Sequence, residues 1–158
     1  MTAGNIELMN IAVSNRCGTT EFNVSQNSDY SGLIPTKSAL EFGPSQPIKL
    51  ETDTLDNLIP KSLPVDFIKI DVEGAELWVL EGAKELLKRC RPVVVFEFES
   101  HANDYNVKPE AIFDLLESVN MNVWTTEYYL AEKLPLSRSE FVSFFDKEYE
   151  TYLSLIHI

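Results

Sequence analysis

The stretch VDFIKIDVEGAELWVLEGAKELLKRCRPVVVF, from Val65 to Phe96, decides the fold. It contains two mostly apolar runs, Val65–Ile70 and Val93–Phe96, which are rich in β-branched and aromatic residues and predict strands. Because these runs do not alternate with polar residues, they predict burial on both faces, as in a parallel sheet. Between the runs, apolar residues recur at the spacing of one helix face: Leu77, Leu80, Ala83, Leu87 and Cys90. The stretch therefore predicts a βαβ unit with a single helix of about four turns.

Other elements flank this unit on both sides. Upstream, the residue pattern predicts a strand, a turn and a second strand over Ile6–Val24, and a further strand over Pro47–Thr52. Thr54 is predicted to cap a short helix that Pro60 ends. Downstream, the patterns predict three elements: a helix over Pro109–Val119, a strand over Met121–Thr126 and a helix over Ser139–Leu153.

Two segments lack such a pattern. Gly, Pro, Ser and Asn residues punctuate Gln26–Pro47, and an irregular stretch of this length is usually either functional or disordered. Leu153–Ile158 is apolar for a chain end, and we assign it no function.

Composition and charge restrict the class of protein. The 158 residues suit one domain, since domains most often have about 100–150 residues. The chain has 25 acidic and 13 basic residues and a net charge of -12. Nucleic acid and anionic membrane surfaces are therefore poor partners. No apolar run approaches the ~20 residues of a spanning helix, and Met1–Asn10 shows no secretory signal. Two distant cysteines, Cys17 and Cys90, fit a reducing compartment, and we predict a cytoplasmic protein.

Polar residues follow both strands of the βαβ unit. Asp71 and Glu73 come after the first strand, and Glu97, Glu99 and His101 end or follow the second. Ligands of open α/β sheets bind beyond the carboxyl ends of the strands, so we expect these side chains to line one crevice. Carboxylates there either bind a divalent cation or orient polar groups and balance a cationic ligand. His101 is a candidate general base at neutral pH.

Each of these residues also has a structural interpretation. Asp71 and Glu73 in a first helical turn would stabilise the helix dipole by about 0.3–1 kcal/mol each. Glu97 and Glu99 alternate with phenylalanines and would form a solvated strand end. His101 would be a solvated loop histidine. From the residues alone, both interpretations stay open.

A longer block around the first strand resembles a known family. The sequence DFIKIDVEGAE at Asp66–Glu76, followed by LEGA and RPVVVFE, closely resembles the centre of the FkbM-type S-adenosylmethionine-dependent methyltransferases. Two upstream pieces are similar to this family in the same order: Asn10–Ser14 to its third-strand region, and Thr54–Leu58 to the segment before the central strand. The resemblance covers Ile6–Val119 and predicts one partial methyltransferase domain over the whole chain.

The resemblance implies a Rossmann-like α/β fold and transfer of a methyl group to a hydroxyl oxygen, usually on a sugar or secondary metabolite. It implies that Asp71 lines the methionine end of the cofactor and the acceptor site, that Asn10–Ala12 lies near the adenine, and that Gln26–Pro47 lies near the pocket rim. Asn10, Ala12 and Asp71 are thus the implied cofactor-binding residues. Glu73, His101 or a bound water would take the acceptor's proton.

The glycine pattern departs from this family. Its members carry a glycine-rich loop after the first strand and an acidic residue after the second, and both bind the cofactor. Here the glycines stand at positions 4, 18, 32, 43, 74 and 82 without a GxGxxG-like cluster, and the sequence begins where the third strand should begin. We expect a three-layer Rossmann-like sandwich truncated on its N-terminal side, as a fragment or as a domain without its cofactor half. Alone, it would bind S-adenosylmethionine weakly or not at all and expose a sheet edge for association.

Two other classes of protein remain open. One is a catalytically silent α/β module that binds a partner through the exposed sheet edge. The other is a metal-dependent hydrolase that uses four carboxylates: Asp71, Glu73, Glu97 and Glu99.

Overall fold

The structure is a computed structural model that describes residues 5–26, 31–34, 43–98, 100–146 and 153–157. Its strands are β1 Ala12–Val13, β2 Gly18–Val24, β3 Gln46–Asp53, β4 Phe67–Ile70, β5 Val93–Phe98, β6 Trp124–Thr125 and β7 Leu153–His157. Its helices are α1 Leu55–Leu58, α2 Glu76–Glu81, α3 Lys84–Cys90, α4 Pro109–Ser118, α5 Thr126–Leu130 and α6 Arg138–Asp146. A short 3-10 segment, Ser100–Asn103, follows β5.

The strands form two sheets. The first has the order β1-β3-β2, with β1 parallel and β2 antiparallel to β3. The second has the order β4-β5-β7-β6. In it, β4 and β5 are parallel, with Phe67 opposite Val93 and Ile70 opposite Phe96. The predicted α/β class and the parallel βαβ unit are therefore confirmed, and the terminal segment forms β7, antiparallel between β5 and β6.

The core lies on one face of β4 and β5. Buried residues of these strands pack with buried residues of α2, α3 and α4, among them Ile70, Phe96, Leu80, Leu87, Ile112 and Leu116. On the other face, Phe67 is 58% exposed, and Lys69 is exposed as well. Burial along β5 alternates between buried and half-buried residues. The prediction of burial on both faces is therefore wrong for β4, because the described core covers only the face that carries Ile70 and Phe96.

The predicted single helix after β4 is two helices, α2 and α3, which break at Gly82 and Ala83. A Cβ atom on Gly82 would overlap the carbonyl oxygen of Ser14 and lie 3.2 Å from Cβ of Thr54. The break therefore lets the backbone next to β1 approach the helix pair closely.

The start of α3 is capped from another element. Its N-cap residue, Ala83, makes no side-chain hydrogen bond. The carboxylate of Asp56 in α1 instead accepts hydrogen bonds from the backbone N–H groups of Glu85 at 3.1 Å and Leu86 at 2.7 Å. These bonds satisfy two amide groups that the first turn of a helix leaves free.

The remaining elements agree with the sequence patterns to different extents. The strand β3, the helix α4 and the short helix α1, in which Oγ of Thr54 accepts a hydrogen bond from the N–H of Asn57, are confirmed. The first predicted strand is reduced to β1, and the strand at Met121–Thr126 is reduced to β6. The last predicted helix corresponds to α6; residues 147–152 lie outside the described part. Among the helices in the described ranges, none combines the length and apolar character needed to cross a bilayer.

Candidate functional site

The chain turns sharply after β4. Glu73 has a φ of 51° and Gly74 a φ of 105°, so both lie in the left-handed region of backbone space. For a residue with a side chain, this conformation costs about 1–2 kcal/mol. Backbone strain of this kind concentrates at functional sites, where the surrounding structure holds it in place. Four other described residues with side chains share this conformation, so it is the position at the carboxyl end of a parallel strand that makes the turn with Asp71, Glu73 and Gly74 the centre of the candidate site.

A buried carboxylate braces this turn. Glu76, the first residue of α2, is 3% exposed, and its Oε1 accepts a hydrogen bond from the backbone N–H of Gly74 at 2.9 Å. Ala75, the N-cap residue of α2, makes no side-chain cap. Glu76 thus provides an acceptor for an amide next to the helix start, where negative charge is also favourable.

Lys69 connects the ends of the two parallel strands. Its Nζ lies 3.6 Å from Oδ2 of Asp71 and 3.2 Å from Oε1 of Glu97. The two carboxylates therefore lie on either side of one ammonium group. The three side chains are partly exposed, so these ion pairs contribute little to stability, but they partly neutralise the carboxylates.

Tyr105 lies beyond the carboxyl end of β5, after the 3-10 segment. It is 5% exposed, and its Oη accepts a hydrogen bond from the backbone N–H of Ile34 at 3.1 Å. Its ring contacts the indole of Trp78 in α2 edge to face, with the centroids 5.1 Å apart. One buried phenol therefore joins the segment at residues 31–34 to the helix that follows the strained turn.

Burial is the main influence on the ionisation of the same phenol. Burial raises the pKa of Tyr105 above its usual value of 10.0, and hydrogen bonding with the backbone of Ile34 and Leu33 opposes this increase. The negative charges of Glu76 and Glu73 raise the pKa further. Tyr105 is consequently protonated at neutral pH.

The other predicted site residues have less defined positions. Asn10 is exposed and outside regular structure, and Ala12 is half-buried in β1, opposite Thr52, so both belong to the region of the three-stranded sheet. The backbone of His101 lies in the 3-10 segment after β5, but its side chain is outside the described part. Glu99 lies outside the described residues. The roles assigned to Asp71, Glu73, His101, Asn10 and Ala12 stay predictions.

Sequence reasoning missed three residues of this region. Lys69 had a usable signal, because Asp71, which directly follows β4, lies two residues further along the extended chain and so on the same side. Glu76 stood inside the block that resembles the family, but it was not distinguished from an ordinary acid in a first helical turn. Tyr105 carried no signal, because its partner at residue 34 is distant in the sequence.

A second polar cluster lies next to β3. The thiol of Cys17 donates to Oδ1 of Asp53 at 2.8 Å, and Nδ2 of Asn57 donates to the same oxygen at 2.8 Å. The pKa of Asp53 is lowered below its usual value, mainly by the hydrogen bond from the Cys17 thiol. The bonds from Asn57 and from the N–H of Thr54 lower it further. The bond to Asp53 is also the main reason why the pKa of Cys17 is raised. Cys17 is therefore a weak nucleophile, and like Cys90 it is a free thiol.

The arrangement of potential metal ligands bears on the hydrolase hypothesis. Within the described ranges, no group of three or more His, Cys, Asp or Glu side chains is placed to hold a metal ion. The described carboxylates of the hydrolase hypothesis are Asp71, Glu73 and Glu97, and Asp71 and Glu97 pair with Lys69.

Comparison with known proteins assigns the family. The family described as "Methyltransferase FkbM domain" matches residues 3–123, which is most of the chain. The chain belongs to this family of methyltransferase domains, as the block at Asp66–Glu76 predicted.

One curated relative and the solved structures add to this result. The 2-O-methyltransferase NoeI of Sinorhizobium fredii is 30% identical over 129 residues, which cover 73% of this chain and 53% of the relative. The chain thus spans about half the length of the curated relative that it matches. No solved structure matches the chain significantly.

Proposed function

We propose that this chain forms the acceptor-side part of an S-adenosylmethionine-dependent O-methyltransferase that acts on a hydroxyl group of a sugar or a secondary metabolite. One structural observation carries the proposal: a strained turn, with Glu73 in the left-handed region and Glu76 bound to Gly74, lies at the carboxyl end of a parallel strand. This turn lies inside the matched methyltransferase domain. The 2-O-methyltransferase activity in the relative's name supports oxygen as the acceptor atom.

The proposed fold is Rossmann-like. The parallel strands β4 and β5, joined by α2 and α3, are the repeating unit of such a fold. In doubly wound sheets, ligands bind in the crevice beyond the carboxyl ends of the strands. The turn after β4 and the segment after β5 both lie at that end, so we place the cofactor's methionine end and the acceptor there.

The residues at this end fit a cationic cofactor. Asp71, Glu73 and Glu76 supply carboxylates within one turn, and S-adenosylmethionine carries a positive sulfonium. Lys69 limits the excess of negative charge by its pairs with Asp71 and Glu97. Asn10 and Ala12 are the proposed contacts on the adenine side.

The chain's own residues align the acceptor and take its proton. When bound at this end of the sheet, the cofactor would supply an electrophilic methyl group to the acceptor oxygen. Asp71 orients the acceptor hydroxyl, and Glu73 or His101 accepts the hydroxyl proton. The pH profiles of Glu73→Gln and His101→Gln distinguish these two bases, because only loss of the true base removes the acidic limb.

The test uses the protein encoded by the complete reading frame that contains these residues. It is incubated with S-adenosylmethionine and a panel of methyl glycosides, and S-adenosylhomocysteine and methylated products are measured by mass spectrometry. Asp71→Asn should lower kcat by about 10²-fold or more. Asp66→Asn, the same change at the other end of β4, is the matched control and should leave kcat unchanged. Failure to form any methylated product, together with no heat of cofactor binding in calorimetry, would contradict the proposed function.

One observation favours the silent interaction module as a second candidate. Phe67 is 58% exposed on β4, which is one of the two edge strands of its sheet in the described part of the chain. An apolar residue on an open edge favours association. If this candidate is correct, light scattering detects oligomers of the wild-type protein, and Phe67→Lys abolishes them. The wild-type protein then transfers no methyl group.

A further inference from the structure

We propose that the hydroxyl of Tyr105 holds the segment Ser31–Ile34 in place as a wall of the acceptor pocket, which makes Tyr105 a positioning residue for acceptor specificity. This inference rests on the proposed function and adds a residue and a segment to its site. The family resemblance implies that Gln26–Pro47 lies near the pocket rim, and in its described part Ile34 contacts Tyr105.

One side of the segment is attached to the three-stranded sheet. Gly32 pairs with Asn23 at the end of β2 through two backbone hydrogen bonds, of 2.8 and 3.1 Å. Oγ of Ser31 accepts a further hydrogen bond from the N–H of Ser25 at 3.0 Å. The segment is therefore held beside the end of β2.

The other side of the segment rests on Tyr105. The N–H of Ile34 donates to Oη at 3.1 Å, and a Cβ atom added to Gly32 would lie only 2.8 Å from the same oxygen. The phenol is buried and packed edge to face on Trp78. These contacts hold the ring in place. A side chain at Gly32 would therefore clash with the hydroxyl of Tyr105.

The contact lies beside the candidate catalytic turn. The ring of Tyr105 packs edge to face on Trp78, with the centroids 5.1 Å apart, and Trp78 belongs to α2, the helix that follows the turn. Through Tyr105 the segment is thus connected to the helix next to Glu73, the proposed acceptor of the substrate's proton. A wall next to this group contacts the acceptor rather than the adenine, so its position sets acceptor affinity.

The structural arm of the test needs no substrate. Tyr105→Phe removes only the hydroxyl, and we expect amide hydrogen exchange at Leu33 and Ile34 to accelerate about fivefold or more. Gly32→Ala should lower Tm in the wild-type background and lower it less in the Tyr105→Phe background, since the clash with Oη is gone. Tyr128→Phe, at a tyrosine that packs on Phe144 and Lys133, is the matched control and should leave exchange at Leu33 and Ile34 unchanged. Unchanged exchange in Tyr105→Phe, or additive effects of the two substitutions on Tm, would overturn the inference.

The functional arm uses the complete protein and the methyl glycoside that it methylates fastest. Tyr105→Phe should raise KM for this acceptor about tenfold, with kcat and the Kd for S-adenosylmethionine changed less than about twofold. A purely structural role would instead change the cofactor's Kd and kcat together, which overturns the inference. Wild-type activity with an unchanged acceptor KM in Tyr105→Phe overturns only this inference. Absence of activity in the wild type overturns the proposed function and this inference with it.

Discussion

The carboxylate of Glu76 accepts a hydrogen bond from the backbone N–H of Gly74 at 2.9 Å while the residue is 3% exposed. We expect Glu76→Ala to lower the free energy of unfolding by about 1.5–3 kcal/mol, because a hydrogen bond to a charged group is lost. Glu76→Gln keeps an acceptor oxygen and should lose less. Urea denaturation measures both variants, with the exposed Glu117→Ala as control. Equal losses for Glu76→Ala and Glu76→Gln would show that this oxygen does not brace the turn.

Replacing a residue in the left-handed conformation by glycine should affect stability and activity differently. Glu132, exposed and at φ 52°, matches the backbone of Glu73 at φ 51°. Glu132→Gly should raise the free energy of unfolding by about 0.5–1 kcal/mol, because relief of left-handed strain exceeds the entropy cost of glycine.

At the candidate site, the same change has a second effect. Glu73→Gly should raise stability by no more than Glu132→Gly does, because it also removes a side chain that interacts with its surroundings. It should lower kcat by about 10²-fold or more, whereas Glu132→Gly leaves kcat unchanged. Thermal denaturation and S-adenosylhomocysteine formation measure the two effects. Full activity in Glu73→Gly would exclude a catalytic role for this carboxylate.

Gly82 is predicted to be intolerant of any side chain. A Cβ atom there would overlap the carbonyl oxygen of Ser14, so Gly82→Ala should lower the free energy of unfolding by about 1–3 kcal/mol. Lys84→Ala, two residues further on an exposed helix position, should change it by less than about 0.5 kcal/mol. Chemical denaturation measures both. An unaffected Gly82→Ala would mean that the first sheet does not pack against the helix break.

The ion pair between α4 and α6 predicts a pH dependence. Arg138 binds Asp114 through two hydrogen bonds, of 2.7 and 3.0 Å, and these bonds lower the pKa of Asp114 below its usual value of 3.8. The stabilisation is therefore fully present above the unfolded-state pKa and is lost as the pH falls through the lower, folded-state pKa.

This dependence can be measured by comparing variants. Asp114→Asn should lower Tm at neutral pH, and the difference from the wild type should shrink once the pH falls below about 3.8. Glu51→Gln, exposed on β3 in the other sheet, is the control. A difference in Tm between Asp114→Asn and the wild type that stays constant down to pH 2 would contradict an ionised Asp114 as the cause.

Much of the fold followed from local patterns. The apolar runs around Asp71 predicted two parallel strands, Thr54 predicted a helix start, and the block Asp66–Glu76 predicted the family. These features could be predicted because hydrophobic period, capping and motif spacing act over a few residues. Asp71 and Glu73 directly follow β4, as predicted, and their roles stay predictions.

Long-range contacts account for the errors. The single predicted helix breaks at Gly82, where the carbonyl of Ser14, far away in the sequence, approaches too closely for any side chain, and Asp56 caps the second half. The apolar run that contains Phe67 predicted burial of both strand faces, but Phe67 is exposed, because burial depends on which face of the sheet the helices cover. No local pattern contains that information.

The sequence by itself determined the order of strand, turn and helix, the family and the carboxylates at the strand end, since each is a property of neighbouring residues. Only the tertiary structure decided that Lys69 joins Asp71 to Glu97 and that Tyr105 joins Ile34 to Trp78 of α2. Lys69 meets the two carboxylates because two parallel strands end at the same edge, and Tyr105 meets Ile34 because a segment distant in the sequence folds against it. Chain folding, rather than sequence spacing, brings those groups within hydrogen-bonding distance.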